Sequence, residues 1–418
     1  MSKTHKGSFG SLFFLCRQRT PCSLDVIFRT CSVFDRSSSS IFFFDVLHQH
    51  SSSNLHVICL NVFRSFFNSL LSSLYSAFVA RRNSAFDAGK GVRSVDVPVI
   101  SVGNVSMGGT GKSPFVILLA NTLLRMGHRP AIVSRGYGRR SRGVVLVSNG
   151  KSIQCSVQEA GDELSMIALA QPQCVVVAAE QRFLGATRVV REFPEVDVIL
   201  LDDGFQHRSL ARNADIVLVD RATLDAPLVV PAGVLREPLT NINRASLLVC
   251  TTGVQAEELR PFTKAPMLFV HTKYSGCVRL QSMESTAVAT EPAPPRAVLV
   301  TAIANAHRVR ETCSHNGIEV AHHAEYRDHY FYTAADVHAI IALCKEHSCT
   351  VAITTAKDAP KLLAWLPDFT ANGIVLLVLR IETVCTRQEM LEEFLKSVLR
   401  NDSKIDSEND SKIGSKND

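Results

Sequence analysis

The chain has 418 residues, which is more than one ordinary hydrophobic core holds and predicts two domains of roughly 150 residues each, with extensions. Hydrophobic residues make up 46% of it, as in a globular protein, and the formal net charge of +6 is mild. Because that charge comes without a run of lysine and arginine, nucleic acid is not expected as a partner. The twelve cysteines include no C-x-x-C pair and indicate reduced thiols, not a disulfide framework or a metal site.

The first 56 residues are rich in serine and phenylalanine and carry four arginines against three aspartates. They lack the basic start, single apolar core and small-residue cleavage site of a secretory signal. We therefore interpret residues 1–56 as a leader for import into an organelle, a mitochondrion or a plastid. A disordered extension without a targeting role is the alternative.

Residues 57–94 are predicted to contain an amphipathic helix. Apolar residues recur at spacings of three and four from Leu60 to Val79, with serine and asparagine between them. The helix is nearly long enough to cross a bilayer, but its polar residues and Arg64 favour an anchor that lies in the membrane plane. An apolar stripe that packs on the following domain is the alternative.

Residues 98–114 contain an apolar strand, a glycine-rich turn and the start of an apolar helix, with the turn made of Gly108, Gly109, Thr110, Gly111, Lys112 and Ser113. Glycine N–H groups can converge on a polyphosphate, Lys112 can reach its β and γ oxygens, and the Ser113 hydroxyl suits Mg²⁺. The turn therefore predicts a P-loop for a nucleoside triphosphate, although Ser106 replaces the first glycine of the usual pattern. A glycine-rich turn without a ligand is the alternative.

A mainly parallel sheet flanked by helices is predicted for residues 95–270, where apolar runs alternate with helical patterns. The strand 196–201 ends in Asp202 and Asp203, at the edge where a P-loop sheet needs a carboxylate for Mg²⁺. A turn that uses aspartate only for its backbone geometry is the alternative.

Three further features of this part of the chain are candidates for chemistry. Asp162 precedes a short helix and is either its cap or a carboxylate that accepts a hydroxyl proton during phosphoryl transfer. Arg236 lies in a loop bounded by prolines, where a fixed guanidinium suits a phosphate; an ion pair with Glu237 is the alternative. The loop 134–140 is basic and glycine-rich, which suits an anionic group of a substrate.

The segment 271–296, which ends in several prolines, is expected to be a linker. A second, smaller α/β series is predicted for residues 297–399. In it Asp328 and His329 join a carboxylate to an imidazole, a pair that is structural more often than catalytic. Residues 400–418 repeat Asn-Asp-Ser-Lys-Ile in a polar stretch and are expected to be disordered.

The order of these motifs resembles the tetraacyldisaccharide 4′-kinase family. The resemblance covers roughly residues 68–399 and rests on the P-loop together with Ser134–Gly138, Gly161–Glu163, Asp202–His207, Pro231–Pro238 and Asp328–His329. It implies an α/β protein of P-loop NTPase type with a second, smaller α/β domain and a membrane-associated N-terminal helix. It also implies transfer of the γ-phosphoryl group of ATP to the 4′-hydroxyl of a tetraacyl glucosamine disaccharide 1-phosphate, a step of lipid A biosynthesis.

The resemblance further implies nucleotide and metal ligands. Lys112 and Ser113 would bind ATP and Mg²⁺ together with the glycines around them, Asp202 and Asp203 would serve the metal, and Arg236 would contact a phosphate.

For the reacting hydroxyl, the resemblance implies that Asp162 acts as the base, assisted by His329 and Asp328. Its partners would be the acylated disaccharide lipid and a membrane surface, with no obligate protein partner. Residues 1–67 and the tail after Arg400 are extra to a bacterial enzyme of this family, which implies a membrane-associated form in a eukaryotic organelle, the mitochondrion. Without the leader, the expected location is the cytoplasmic face of a bacterial inner membrane.

A nucleotide-dependent switch or chaperone of the P-loop class, which binds a protein partner, is the competing hypothesis. A guanine-specific form would carry Asn/Thr-Lys-x-Asp. Here Lys357 and Asp358 follow each other without a spacer, which argues against that form.

Overall fold

The computed structural model describes residues 53–280 and 290–400, and of residues 53–62 and 290 it describes the backbone alone. Most of the predicted leader and nearly all of the predicted disordered tail lie outside the described residues. The compact unit that contains the sheet begins at Phe67.

Thirteen strands of the described residues form one sheet. They are β1 Val99–Asn104, β2 Pro130–Ser134, β3 Val145–Asn149, β4 Val175–Ala178, β5 Val198–Asp202, β6 Ala214–Val219, β7 Leu247–Cys250, β8 Met267–Arg279, β9 Thr290–Glu291, β10 Arg296–Thr301, β11 Glu319–Glu325, β12 Val351–Thr355 and β13 Val375–Cys385.

The helices of the described residues are α1 Ser53–Asp87, α2 Lys112–Arg125, α3 Val157–Ala160, α4 Asp162–Ala170, α5 Arg182–Glu192, α6 Arg221–Asp225, α7 Ala256–Leu259, α8 Ala306–His315, α9 Ala334–Glu346, α10 Ala359–Leu362, α11 Leu366–Ala371 and α12, residues 388–400. Short 3₁₀ turns span Leu239–Arg244 and Leu363–Trp365.

The strand order is β11-β10-β12-β13-β8-β7-β6-β1-β5-β2-β4-β3, with β9 paired to β8. Most neighbours are parallel, and the antiparallel pairs are β3 with β4, β8 with β13 and β8 with β9. β1 is buried along its whole length and lies between β5 and β6. In open parallel sheets, ligands bind at the carboxyl ends of such central strands, because connections leave there toward both sides.

The two halves of the sheet are joined by β8 and β13. β8 pairs with β7 at its beginning, and its later residues, which include 271–279 of the expected linker, pair with β13. The chain thus leaves the P-loop half along β8 and returns along β13. The last helix, α12, packs Leu391 and Leu395 into the core that also holds Phe115 and Leu119 of α2. The structure therefore places α12 with the P-loop half, whereas the sequence grouped it with the second α/β series, because an apolar stripe does not reveal which sheet it covers.

The predicted N-terminal helix is present as α1, but of its apolar side chains with a described burial only Val79 is buried, and most of the others are exposed. Ser72, Val79 and Asn83 are buried against the following domain, whereas Leu74 and Phe78 are 61% and 64% exposed. The hypothesis of an inward apolar stripe is therefore wrong, since a serine, one valine and an asparagine make the contact. None of the helices in residues 53–280 and 290–400 has the length and hydropathy needed to span a bilayer.

Candidate active site

The glycine-rich turn joins β1 to α2 and faces open space. Gly108 has φ 118° and Gly111, which caps α2, has φ 83°, a backbone region that favours glycine. A Cβ atom added at Gly108, Gly109 or Gly111 would meet no other atom within 4 Å. The turn therefore leaves room beside its backbone for a bound group at the N-terminus of α2.

The loop that carries Arg236 supports the turn from one side. The backbone N–H of Arg236 donates to the carbonyl of Val105 at 2.7 Å, and the N–H of Met107 donates to the carbonyl of Val234 at 2.7 Å. Buried backbone groups that are paired in this way hold a loop in one conformation. The shape of the turn is therefore fixed by residues far away in the chain.

Ser106, which departs from the usual P-loop pattern, is buried below the turn. Its Oγ accepts a hydrogen bond from Asn104 Nδ2 at 3.1 Å and lies 3.0 Å from Thr223 Oγ1, whose own proton goes to Asp220. A glycine at this position would remove both contacts. The hydroxyl therefore has a structural role in this P-loop.

Lys112 points into the mouth of the turn. Its Nζ lies 3.1 Å from Asn104 Oδ1, 3.4 Å from the carbonyl of Gly108 and 3.5 Å from Asp203 Oδ1. Its side chain is 12% exposed. These contacts hold the ammonium group where a phosphate oxygen would meet it.

Asp202 ends β5 beside the end of β1, and its Cα pairs with that of Val102. Ser134, at the end of β2, donates a hydrogen bond to Asp202 Oδ2 at 2.8 Å. Oδ1 of Asp202 is buried and has no hydrogen-bond partner among the described residues. Burial and, next, the charge of Glu163 raise the pKa of Asp202 to about 6.

Asp203 lies between two cations. Arg236 Nη1 donates to both of its carboxylate oxygens, at 3.0 and 2.8 Å, and Lys112 lies on the same side. Burial raises the pKa of Asp203, but Lys112 and Arg236 outweigh this effect and lower the pKa below its ordinary value. The alternative that pairs Arg236 with Glu237 is wrong, because Glu237 faces a different set of residues.

Glu237 is fully buried, and no sequence pattern indicated its role in organising the loops around the site. Its carboxylate accepts hydrogen bonds from Arg244 at 2.6 Å, Asn241 at 2.8 Å, Gln206 at 2.8 Å and Asn83 at 3.2 Å. Asn83 belongs to α1. Glu237 therefore connects the N-terminal helix to the loops around the nucleotide turn.

Asp162 is the first residue of α4 and does not cap it. The cap position is held by Gly161, at φ 86°, and no side chain caps the helix, so the cap hypothesis is wrong. Asp162 is 3% exposed, and its Oδ2 accepts hydrogen bonds from His329 Nδ1 at 3.1 Å and from Lys361 Nζ at 3.2 Å. The two halves of the sheet thus meet at this carboxylate.

The outer nitrogen of His329 faces Lys357 and Asp328. Lys357 Nζ lies 3.3 Å from His329 Nε2 and 3.0 Å from Asp328 Oδ1, and Asp328 Oδ2 is 3.7 Å from Nε2. Burial raises the pKa of Asp328, but Lys357 and then His329 outweigh it and lower the pKa. The Nδ1 of the ring thus faces Asp162, and its Nε2 faces both Lys357 and Asp328.

The structure thus brings the predicted residues into two neighbouring clusters at the carboxyl ends of the strands. The phosphate cluster contains Lys112, Ser113, Asp202, Asp203, Arg236 and the glycines of the turn, and the carboxylate–imidazole cluster contains Asp162, Asp328 and His329. Lys361 was missed. Its place three residues after Asp358, on one face of a helical turn, could have indicated that pair but not the contact with Asp162.

Comparisons with known proteins identify the chain's relatives. A family model described as tetraacyldisaccharide-1-P 4′-kinase matches residues 65–400. The tetraacyldisaccharide 4′-kinase of Chlorobium luteolum is 37% identical over 343 residues, which cover 78% of this chain and 96% of the relative. That of Chlorobaculum parvum is 39% identical over 300 residues, 69% of this chain and 81% of the relative.

A solved structure agrees with this result. The "apo" form of LpxK from Aquifex aeolicus in complex with ATP has a TM-score of 0.64 and 30% identity to this chain, covering 79% of this chain and 97% of that chain. This similarity confirms the predicted α/β fold of P-loop NTPase type. With the family model it also confirms the resemblance noted in the motifs, and the chain belongs to the tetraacyldisaccharide 4′-kinase family.

Proposed function

We propose that the protein transfers the γ-phosphoryl group of ATP to the 4′-hydroxyl of a tetraacyl glucosamine disaccharide 1-phosphate, a lipid A precursor, at a membrane surface. Its family supports the reaction and the lipid acceptor. The observation that carries the proposal is the open glycine turn with Lys112 at its mouth, 3.5 Å from Asp203. Family membership does not favour the competing switch or chaperone hypothesis.

We propose that Ser113, Asp202 and Asp203 hold Mg²⁺ together with the phosphates. Among the described residues, no group of three or more His, Cys, Asp or Glu side chains could hold a metal ion. Mg²⁺ in kinases, however, takes one or two carboxylates and completes its shell with phosphate and water. The unpaired, buried Oδ1 of Asp202 fits such a cation or its bound water. When bound, Mg²⁺ neutralises charge on the β- and γ-phosphates.

We propose that Asp162 receives the proton of the 4′-hydroxyl. The bond from the hydroxyl oxygen to the γ-phosphorus forms, the bond from that phosphorus to the bridging oxygen breaks, and ADP leaves. Because such transition states are loose, positioning contributes more than base strength. The contact of His329 with Asp162 supports this role, since it fixes one carboxylate oxygen, and Asp328 and Lys357 orient the ring in turn. Arg236, beside Asp203, would contact a phosphate.

The membrane surface is proposed from the exposed apolar side chains of α1. Leu70, Leu74 and Phe78 lie four residues apart and are 49%, 61% and 64% exposed. Exposed apolar groups at this spacing on one helix are typical of an interfacial anchor. An enzyme whose substrate carries four acyl chains needs access to such a surface.

The mitochondrion is proposed as the location from composition alone. Residues 1–56 contain more arginine than acidic residues and are rich in serine, which is typical of mitochondrial import segments. Expression of residues 1–56 fused to a fluorescent protein tests this, and a diffuse cytosolic signal would contradict it.

Purified full-length protein, ATP, Mg²⁺ and the disaccharide lipid in detergent provide the test of the reaction. We expect phosphate transfer without a protein partner, with GTP a poorer donor than ATP, and its loss in Lys112→Ala. Lys345→Ala, an exposed lysine of α9, is the matched control and should keep full activity. Absence of transfer, or undiminished transfer by Lys112→Ala, would contradict the proposal.

The role of Asp162 has its own test. Asp162→Asn keeps the shape of the side chain and removes its ability to take a proton, so turnover should fall by about 10²–10⁴-fold, with ATP affinity nearly unchanged. If turnover per folded molecule stays at the wild-type level, Asp162 is not the base.

A further inference from the structure

Lys361 and Asp358 form a buried ion pair on α10 and the turn before it. Lys361 Nζ lies 2.7 Å from Asp358 Oδ1, and neither side chain has any exposed surface. Removing both charges from water costs several kcal/mol per ion. Well-packed apolar side chains of similar volume would therefore often make the folded protein as stable or more stable. Both side chains also contact residues of the carboxylate–imidazole cluster or the backbone that supports it.

The ammonium group of Lys361 reaches the carboxylate of Asp162. Lys361 Nζ is 3.2 Å from Asp162 Oδ2, the same oxygen that accepts from His329 Nδ1 at 3.1 Å. Both partners bind Oδ2 and neither binds Oδ1. The plane of the carboxylate is thereby fixed, and a single oxygen is left to meet a substrate hydroxyl.

Asp358 holds the backbone that carries His329. Asp358 Oδ2 accepts from the N–H of Ala302 at 2.9 Å and from Thr355 Oγ1 at 2.8 Å, and the carbonyl of Ala302 accepts from the N–H of His329 at 3.2 Å. His329 has φ 62°, a left-handed conformation that costs about 1–3 kcal/mol for a residue other than glycine. Such a conformation persists only where its surroundings impose it.

We propose that Lys361 and Asp358 are a positioning pair that orients both members of the Asp162–His329 contact. Lys361 fixes Asp162 through its side chain, and Asp358 fixes His329 through Ala302. The inference rests on the proposed function of Asp162 as the proton acceptor, and it adds two buried residues that act through Asp162 and His329.

The charges around Asp162 determine the effect of removing this pair. The ammonium group of Lys361 lies between two carboxylates, those of Asp162 and Asp358, and His329 approaches from the solvent side. The Tyr332 ring lies 5.9 Å from Lys361 Nζ, and burial, followed by the charge of Asp358, raises the pKa of its hydroxyl, so this group stays neutral. Loss of the ammonium charge makes ionised Asp162 less favourable, whereas loss of the Asp358 charge makes it more favourable.

The test is the pH dependence of kcat in Lys361→Met and Asp358→Asn of the full chain. For Lys361→Met we expect kcat to fall at least tenfold, KM for ATP to change less than threefold, and the acidic limb of the profile to move about one unit to higher pH. Asp358→Asn should move that limb to lower pH. Shifts in opposite directions are not produced by general damage to the fold, and Lys345→Met is the control that should keep the wild-type profile.

A double-mutant cycle tests whether Lys361 acts through Asp162. In the Asp162→Asn background, Lys361→Met should have no further effect on the residual kcat. An equal loss of kcat on Lys361→Met in both backgrounds would overturn the inference but not the proposed function. An unchanged kcat and pH profile in Lys361→Met, with Asp162→Asn inactive, would do the same. Wild-type turnover of Asp162→Asn would instead overturn the proposed function. If Lys361→Met does not fold, the pH profile of Asp358→Asn tests the inference. An acidic limb at the wild-type pH in that variant would overturn it.

Discussion

Asp202 and Asp203 are adjacent in the sequence, but their surroundings shift their pKa values in opposite directions. Asp202 is buried near Glu163, and its pKa is raised to about 6, whereas the cations beside Asp203 lower the pKa of that group. Each side chain points into a different environment because Asp203 takes a left-handed backbone conformation, with φ 51°. The carboxylate of Asp202 is thus held by the Ser134 hydroxyl, and that of Asp203 by Lys112 and Arg236.

His207, a few residues further along, makes stability depend on pH. Burial, followed by Arg182 and Arg212, lowers the pKa of His207 from 6.5 to about 4. Between pH 6.5 and pH 4, His207 is protonated in the unfolded chain but not in the folded protein. The free energy of unfolding therefore falls as the pH drops through this range. Allowing for solvent screening of this partly exposed ring, the loss is about 1–2 kcal/mol.

Urea unfolding at pH 7.5 and pH 5 measures this effect. His207→Gln should lose less stability on acidification than the wild type. His338→Gln, at an exposed position of α9, should behave like the wild type. Equal losses in all three proteins would show that His207 is not the group responsible.

At the scale of elements, α1 reverses the usual arrangement of an amphipathic helix. It packs on the domain through Ser72, whose hydroxyl donates to the carbonyl of Val229, and through Asn83, which donates to Glu237. The larger apolar side chains face away from this contact. Hydrogen bonds therefore hold the helix in place, and its apolar side remains open.

Charged substitutions on that side should weaken membrane binding without unfolding the protein. Each buried leucine or phenylalanine contributes about 1.5–3 kcal/mol of transfer free energy, so Leu74→Asp and Phe78→Asp should each reduce binding to phosphatidylglycerol vesicles at least tenfold. Co-sedimentation measures binding, and urea unfolding checks the fold. Ser84→Asp, exposed on the same helix, is the control; binding as strong in Phe78→Asp as in Ser84→Asp would rule out α1 as the anchor.

At the scale of the whole molecule, the second α/β series is inserted between β8 and β13, and the chain then returns to the P-loop half. Leu391 and Leu395 of α12 are fully buried in the core of α2. Gln388 Nε2 donates to Thr122 Oγ1 of α2 at 3.0 Å. The C-terminal helix therefore stabilises the helix that begins at the nucleotide turn.

Leu395→Ala should lower the free energy of unfolding by about 2–5 kcal/mol, since it leaves a cavity in that core. Lys396→Ala, exposed one residue later, should change it by less than about 0.5 kcal/mol. Urea unfolding measures both. A loss in Leu395→Ala no greater than that in Lys396→Ala would contradict the packing of α12 on α2.

Features set by local sequence could be predicted. The strand, glycine turn and helix around Lys112 are contiguous, and Asp202 follows a strand whose carboxyl end must meet that of β1 in a parallel sheet. The period of α1 likewise predicted a helix. It did not show which face packs, because that depends on Val229 and Glu237, more than 150 residues away in the chain.

Residues whose partners are distant could not be predicted from one sequence. Lys361 and Asp162 are separated by 199 positions, and no local pattern indicates their contact. The hydrogen-bond donors to Glu237 lie in three segments: α1, the turn after β5 and the 3₁₀ turn Leu239–Arg244. The role of Glu237 can therefore be recognised only in the folded protein. In the sequence, a buried lysine or glutamate of this kind cannot be distinguished from one that is exposed to solvent.

We expect the long separation of Asp162 from Lys361 to make their contact form late in folding. The nucleotide turn, its carboxylates and the loop of Arg236 are complete within residues 99–236, whereas Asp162 gains its partners only after residue 361. Because distant contacts form late, we expect the turn proposed to hold the triphosphate to reach its geometry before the proposed proton acceptor is aligned. The alignment of Asp162 then depends on the part of the chain that includes Lys361.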